Sequence, residues 1–394
     1  MPLRPPAGFI SAFYDPLKVA NAPTAPAASG GDARASVTFT APGNTGGAPI
    51  TQYYAVSNPG QITGNAASSP VTVTGLTNGT AYTFTVWALN SFGPSPYSGV
   101  SGSVTPAATR GIFGSGTEGG GVSPTNTIDY ITIASTGNAT DFGDMLSAIR
   151  FYGACSSFTR GLFAGGSSGT NVIQYVTIAS TGNALDFGDL LATNERFAGC
   201  SSATRGLFGG GTGPTNVIQY VTISSTGNAI DFGDLINGTS DIAAAASTTR
   251  GLFVGGNTTT YTSSIQYVTI ASTGNAENFG NLTIARSQLA GCSSSTRSVF
   301  GGGFNGSNVN VIDYVTTSSV GNATDFGDLI NETTFLSATS SPTRGVFGGG
   351  LVSFAINVIQ WITVASTGNA ADFGDLTVVR AYLAACSNGH GGLS

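Results

Sequence analysis

The sequence predicts an all-β protein in two parts, a small β-sandwich followed by a closed ring of six four-stranded units. Three observations carry this. Gly supplies 58 of 394 residues, about twice the usual share of roughly 7 %, as a chain of many tight turns requires. Hydrophobic residues reach 40 % while charged residues make up only 8 %, so packed cores are affordable and charged helix surfaces are not. One unit recurs six times from residue 109 onward, with strand-like period-two alternation and no period of 3.6.

Composition also excludes. Thirteen Lys and Arg against nineteen Asp and Glu leave a net charge of −6, which argues against nucleic acid and anionic membrane as partners, since phosphate binding is driven by clustered basic residues. No run approaches the roughly 20 apolar residues of a membrane span. The single His, His390, lies near the C-terminus, which excludes zinc hydrolases, His-dependent triads and histidine-ligated copper. Pro5 and Pro6 interrupt the short apolar start, so no signal peptide is expected and the chain should fold in a cytoplasm.

Residues 1–21 fit neither repeating pattern and carry Phe9, Phe13, Tyr14 and Lys18. They read either as an extended arm packed on their own neighbour or as a peptide that anchors the chain in an assembly.

Residues 22–106 open with Pro23 and Pro26 and then alternate through Val37 and Phe39, GGAPITQYYAV (46–56), VTVTGL (71–76) and TAYTFTVWALNSF (80–92). About 85 residues of alternating strands between Gly/Pro turns predict a sandwich. Leu76 followed by Tyr82, Phe84, Val86, Ala88 and Asn90 resembles the tyrosine-corner region of a fibronectin type III domain. GGAPIT-x-Y resembles that family's third-strand entry, and Phe39 stands where the family usually has Trp. The resemblance implies a spacer or weak binder.

From 107 to 394 each copy opens with Thr-Arg, the arginines being Arg110, Arg160, Arg205, Arg250, Arg297 and Arg344. A strand and a Gly cluster follow (RGLFGGG), then an alternating segment (NVIQYVTI), the turn STGNA, a DFGD element and a segment such as RFAGCSS. Four short strands in 45–50 residues are the sequence sign of a β-propeller blade. The strands are lettered a (RFAGCSS), b (RGLFGGG), c (NVIQYVTI) and d (NALDFGDL). The first copy lacks strand a, and VVRAYLAACSNG (378–389) is left over at the end. This C-terminal strand is therefore expected to complete the first unit and close six blades.

The paired glycines after strand b, Tyr130, Tyr175, Tyr220, Tyr267 and Tyr314 on strand c, and Arg150, Arg196, Arg286 and Arg380 opening strand a resemble kelch repeats. Phe142, Phe187, Phe232, Phe279, Phe326 and Phe373 stand where that family has Trp. The near-identical copies, tied to STGNA and DFGD, also resemble tandem repeats of bacteriophage structural proteins. That resemblance implies a virion location after synthesis in the host cytoplasm, other virion proteins as partners of the N-terminal arm, and an oligomeric state in the particle.

Candidate chemistry is sparse. The repeated DFG lacks every other kinase element, so its aspartates are expected to cap turns, and clustered carboxylates of EF-hand spacing for Ca²⁺ are missing. Cys155, Cys200, Cys292 and Cys386 share one strand-a position with Ala245 and Thr339, which marks a small buried slot and not a disulfide. No cofactor and no catalytic residue is expected. The a–b and c–d turns are nearly uniform, while the b–c and d–a loops vary and should emerge together on the opposite face. Tyr261, Phe304 and Phe354, with Glu118 in the first b–c loop, are the candidate ligand contacts on that face. The expected function is a tail or side fibre that binds a host surface glycan or protein. A capsid or tail decoration protein without a receptor and a polysaccharide-active enzyme are the alternatives.

Overall fold

The computed structural model describes residues 17–119 and 123–393, in two compact units, Met1–Ala108 and Thr109–Ser394. The described residues are almost wholly β, with one 3₁₀ turn at Gly391–Leu393.

In the first unit, β1 (Thr24–Gly31), β2 (Arg34–Thr40) and β5 (Val71–Thr74) form one sheet. The other runs in the order β4 (Thr63–Ala66), β3 (Gln52–Asn58), β6 (Thr83–Asn90) and β7 (Gly93–Pro94). Alternation aims Ala35, Val37, Tyr53, Ala55, Phe84, Val86 and Ala88 into a shared core with Leu76 and Tyr82. The Tyr82 hydroxyl accepts the Thr77 N–H at 3.1 Å, so the corner tyrosine ties its own strand to the preceding turn. Phe39 packs on Tyr53 with centroids 4.8 Å apart.

Beyond β7, Ser95, Ser98 and Ser101 line the free edge of β6 at three-residue intervals. Their N–H groups donate to Ala88, Val86 and Phe84 C=O, and their hydroxyls accept the N–H groups of the same three residues. The edge is thereby satisfied without a full strand.

Phe9, Phe13 and Tyr14 lie outside the described residues. Lys18 does not behave as part of a separate arm. Its N–H donates to Gly46 C=O at 2.9 Å and its C=O accepts Asn90 Nδ2 at 2.9 Å, while Ala20 sits in the core. The first unit therefore begins a few residues before the boundary drawn at residue 22.

The second unit is six antiparallel four-stranded sheets. Sheet two is typical, with a Gly153–Ser156, b Arg160–Ala164, c Val172–Thr177 and d Leu185–Asp189. Sheets three to six repeat it, with a strands at Ala198–Ser201, Ala243–Ala246, Ala290–Ser293 and Ser337–Ser340. Sheet one takes b Arg110–Gly114, c Thr127–Thr132 and d Thr140–Asp144 from the start of the unit and a, Ala384–Ser387, from its end.

Three sets of side-chain hydrogen bonds link each sheet to the next, and two of them complete the cycle. The strand-b arginine stacks over the strand-c ring of its own sheet at 4.2–4.8 Å. It also donates to a carbonyl of the following sheet. Arg110 reaches Ile178, Arg160 reaches Ile223 and so on to Arg344, which reaches Ile133 back in sheet one. In the second set, the Asn of each STGNA turn accepts the N–H of the last DFGD residue in the preceding sheet, from Asp144 with Asn183 round to Asp375 with Asn138. This corrects the expectation for DFGD. The capping side chain is the asparagine, because the strand-d pleat turns the first aspartate, such as Asp186, out to solvent.

The third set joins the a strands. The hydroxyls of Ser156, Ser201, Ser293, Ser340 and Ser387 each donate to the neighbouring a strand at 2.6–2.7 Å. Ala246 holds the sixth place.

Small residues permit this approach. A Cβ on Gly188 of DFGD would meet the Gly227 backbone of the next STGNA at 2.5 Å. A Cβ on Gly206 would meet Cys155 Sγ at 2.5 Å and one on Gly251 would meet Cys200 Sγ at 2.8 Å, so the cysteine slot of one sheet faces the Arg-Gly of the next. Ser298 replaces that glycine only in sheet five, beside the sheet whose slot holds Ala245. All four cysteines are free and buried, and burial pushes the Cys200, Cys292 and Cys386 thiols up to about 12.

Candidate functional site

The a strands converge with small side chains, Ala154, Gly199, Ala244, Gly291, Ala338 and Ala385, which line two stacked cavities of about 50 and 130 Å³. The smaller is closed by the C-terminal tail. His390 Nε2 lies 3.2 Å from Ser156 C=O and 3.3 Å from Ser201 Oγ, and its Nδ1 accepts the Gly392 N–H at 3.1 Å. That partner set is the neutral Nε2–H tautomer. Burial, opposed by the bond to Ser156, pushes its pKa down to about 4.

The larger cavity opens at the other end, where the d–a loops enter strand a. Two residues before each strand stands one non-glycine residue with φ of 51–65°: Phe151, Arg196, Asp241, Gln288, Phe335 and Tyr382. The N–H of each donates to the C=O of the one before it, and Phe151 donates to Tyr382, closing a backbone cycle with N···O of 2.8–3.4 Å. The left-handed turn is thus set by the ring of hydrogen bonds and not by side-chain preference, which leaves six side chains free to differ.

They differ in an ordered way. Phe335, Tyr382 and Phe151, from sheets six, one and two, form an aromatic arc with centroids 4.2–5.9 Å apart. Arg196, Asp241 and Gln288, from sheets three to five, form a polar arc. Arg196 Nη1 donates to Asp241 Oδ1 at 3.1 Å and its guanidinium covers Phe151 at 4.1 Å. Burial pushes the Asp241 carboxyl up, opposed by Arg196. Thr334 donates its hydroxyl to Gln288 Oε1 at 2.6 Å.

The four arginines grouped as openers of strand a stand at three different positions. Arg196 is in the cycle, and Arg150, one residue earlier in its loop, covers Phe151 and Tyr382 at 5.0 and 5.4 Å. Arg286 and Arg380, two residues before the cycle, are fully buried against Asp313 and Asp129 at 2.8 and 2.6 Å. Their sheets have Asp on strand c where the other four have Gln, so each buried cation meets its own carboxylate.

The sequence-predicted residues lie on the b–c loops, which bond to the d–a loops, as when Gly256 N–H donates to Arg286 C=O at 2.9 Å. Tyr261 and Phe304 meet edge to face at 5.8 Å and 82°. Phe354 is 74 % exposed and has no ring partner among the described residues. Glu118 is half-buried in a two-strand ladder of Thr117–Glu118 with Ser123–Pro124. Sequence reasoning named Arg196 among the strand-a arginines but missed the six cycle residues as a set, because they comprise five residue types. The one available signal was their fixed spacing, two residues before strand a. Among the described residues no three His, Cys, Asp or Glu side chains gather to hold a metal ion, and no helix is long and apolar enough to cross a membrane.

Residues 21–103 match the family model for the fibronectin type III domain. Among solved structures the chain is similar to one titled "Structure of YjhT", with a TM-score of 0.52 and 9 % identity over 61 % of this chain and 88 % of that one. At that identity the likeness concerns the fold alone. No curated protein matches the sequence.

Proposed function

We propose that Thr109–Ser394 is a six-bladed kelch-like β-propeller serving as a recognition module. In this reading it is mounted with its fibronectin type III domain on a bacteriophage virion, as a tail or side fibre, and binds the host surface through the end with varied loops. One observation carries the reading. The uniform STGNA turns spend their asparagines on neighbouring sheets, whereas the opposite end holds one backbone cycle of six hydrogen bonds that carries five different residue types. A scaffold that fixes backbone while freeing side chains at one end suits binding. The free thiols, held neutral by burial, and the lack of a second histidine fit a binder better than a hydrolase.

The test has two arms. Antibodies against the chain should decorate phage particles, and the labelled full chain should stain host cells. Unlabelled particles would remove the virion setting, and unstained cells the recognition role.

A further inference from the structure

We propose that the mouth formed by the six left-handed residues holds one uncharged pyranose ring, such as the terminal sugar of a surface glycan. The proposal rests on the reading of this end as the recognition surface and names what it recognises.

Size comes first. A cavity of about 130 Å³ is well below the roughly 300–1,000 Å³ of a pocket for a drug-sized ligand, so it admits one ring and not a peptide or an extended chain. Its depth is limited too. The narrower cavity beneath, of about 50 Å³, is closed by the His390 tail, so a ligand enters and leaves by the mouth.

The chemistry of the wall is divided in the way a sugar ring is divided. A pyranose has an apolar C–H face and a rim of hydroxyls that both donate and accept. Of the aromatic arc, the half-buried Phe335 and Tyr382 supply apolar ring surface for the first, while Phe151 is buried with Arg196 over its ring. The opposing arc supplies both kinds of partner for the second. Asp241 accepts and Arg196 donates. Gln288 has its Oε1 engaged by Thr334, and its amide N–H groups have no acceptor among the described residues, so they are left for a hydroxyl. All these side chains are half-buried except Phe151, which is buried, so a bound ring would be largely withdrawn from water.

Charge then narrows the class. At the mouth, Arg196 lies within 4.0 Å of Glu195 and 3.1 Å of Asp241. Among the six cycle residues the one cation, Arg196, is paired with the one carboxylate, Asp241, so no unpaired charge is left there to capture a carboxylate, phosphate or ammonium group, and the neutral sugar is favoured over an acidic one.

The experiment uses the full chain with the methyl glycosides of glucose, galactose, mannose and N-acetylglucosamine, read by saturation-transfer NMR and titration. At least one should bind and should compete with staining of host cells. Phe335→Leu/Tyr382→Leu, which keeps apolar volume, and Gln288→Ala should each weaken it about tenfold, close to 1.4 kcal/mol. Thr226→Ala, on an exposed uniform turn, should bind as the parent does. Binding that survives both mouth changes overturns the proposal. So does a chain that stains cells yet takes none of the four sugars, and in that case the recognition role stands while the sugar assignment falls. A chain that does neither overturns both.

Discussion

At one end of the six-sheet unit the same side chains recur and are consumed, each STGNA asparagine capping the sheet before it. At the other end the same backbone hydrogen bonds recur, but the side chains on them are Phe, Arg, Asp, Gln, Phe and Tyr. The first end joins the sheets through the Asn side chains together with backbone bonds from the flanking Gly and Ala, as Gly182 N–H to Phe142 C=O and Ala184 N–H to Asp144 C=O, so Gly and Asn are fixed there while the residue before them is Thr in five turns and Val320 in the other. The second holds itself together through backbone and so tolerates any residue that will accept a positive φ. The contrast explains how one repeat can be nearly invariant in its turns and unconstrained at its mouth. It also separates substitutions that should unfold the unit from those that should leave it folded.

The largest expected effect is removal of residues 378–394. It takes away strand a of sheet one, the buried Arg380 and the His390 tail, leaving Asp129 buried without its cation. The truncated chain should aggregate or lose its cooperative unfolding transition. A soluble, monodisperse product with unchanged melting would show that the cycle does not depend on that strand.

Next in size is Arg286→Thr, which strands Asp313 in a dry site and should cost about 3–5 kcal/mol in denaturant unfolding. Sheet six reaches the same place with Thr333 and Gln360, so Arg286→Thr/Asp313→Gln should recover most of that loss. Failure to recover would mean the pair does more than neutralise itself. Gly188→Ala should also destabilise, by about 1–3 kcal/mol or more, because it adds a Cβ at φ +147° against the Gly227 backbone. Gly169→Ala, also at positive φ but in open space, should cost less, and the difference isolates the contact between sheets.

A smaller effect follows from His390. Its folded pKa of about 4 lies below the usual 6.5, so between those values the unfolded chain binds the extra proton. Its contribution is therefore present above pH 6.5 and lost as pH falls through about 4. The melting temperature of the parent should fall more steeply over that window than that of His390→Asn, and parallel profiles would remove histidine from the acid response. The smallest effect is Phe354→Ala, which changes an exposed side chain and should leave stability within about 0.5 kcal/mol in thermal unfolding.

What the sequence made readable was local. Alternation in TFTVWALN placed Phe84, Val86 and Ala88 inward, and Leu76 with Tyr82 announced the corner whose hydroxyl meets Thr77. The shared slot of Cys155, Cys200, Cys292 and Cys386 could be read as small and buried because Ala and Thr also occupy it. The DFGD aspartates were misread because capping was assigned to the aspartate side chain, while the cap is an asparagine of the neighbouring copy, 39 residues on for Asp144. The serine-lined edge of β6 escaped notice because a three-residue spacing matches neither strand nor helix. The mouth was missed for a related reason. Glycine ordinarily signals a positive φ, and here the hydrogen-bond cycle holds six other residues in that conformation. The aromatics of the b–c loops stand out in the sequence instead, and of these Tyr261 and Phe304 pack on each other.

The claim that the varied end is the binding end is tested most directly by cell staining with two variants of the full chain. One carries Phe335→Leu/Tyr382→Leu at the mouth, and the other carries Thr181→Arg/Thr226→Arg/Thr273→Arg on three exposed uniform turns. Both should remain folded, checked by circular dichroism and melting. Staining should be lost with the first and kept with the second. Loss with the arginine variant and retention with the mouth variant would place recognition at the uniform end and contradict the account.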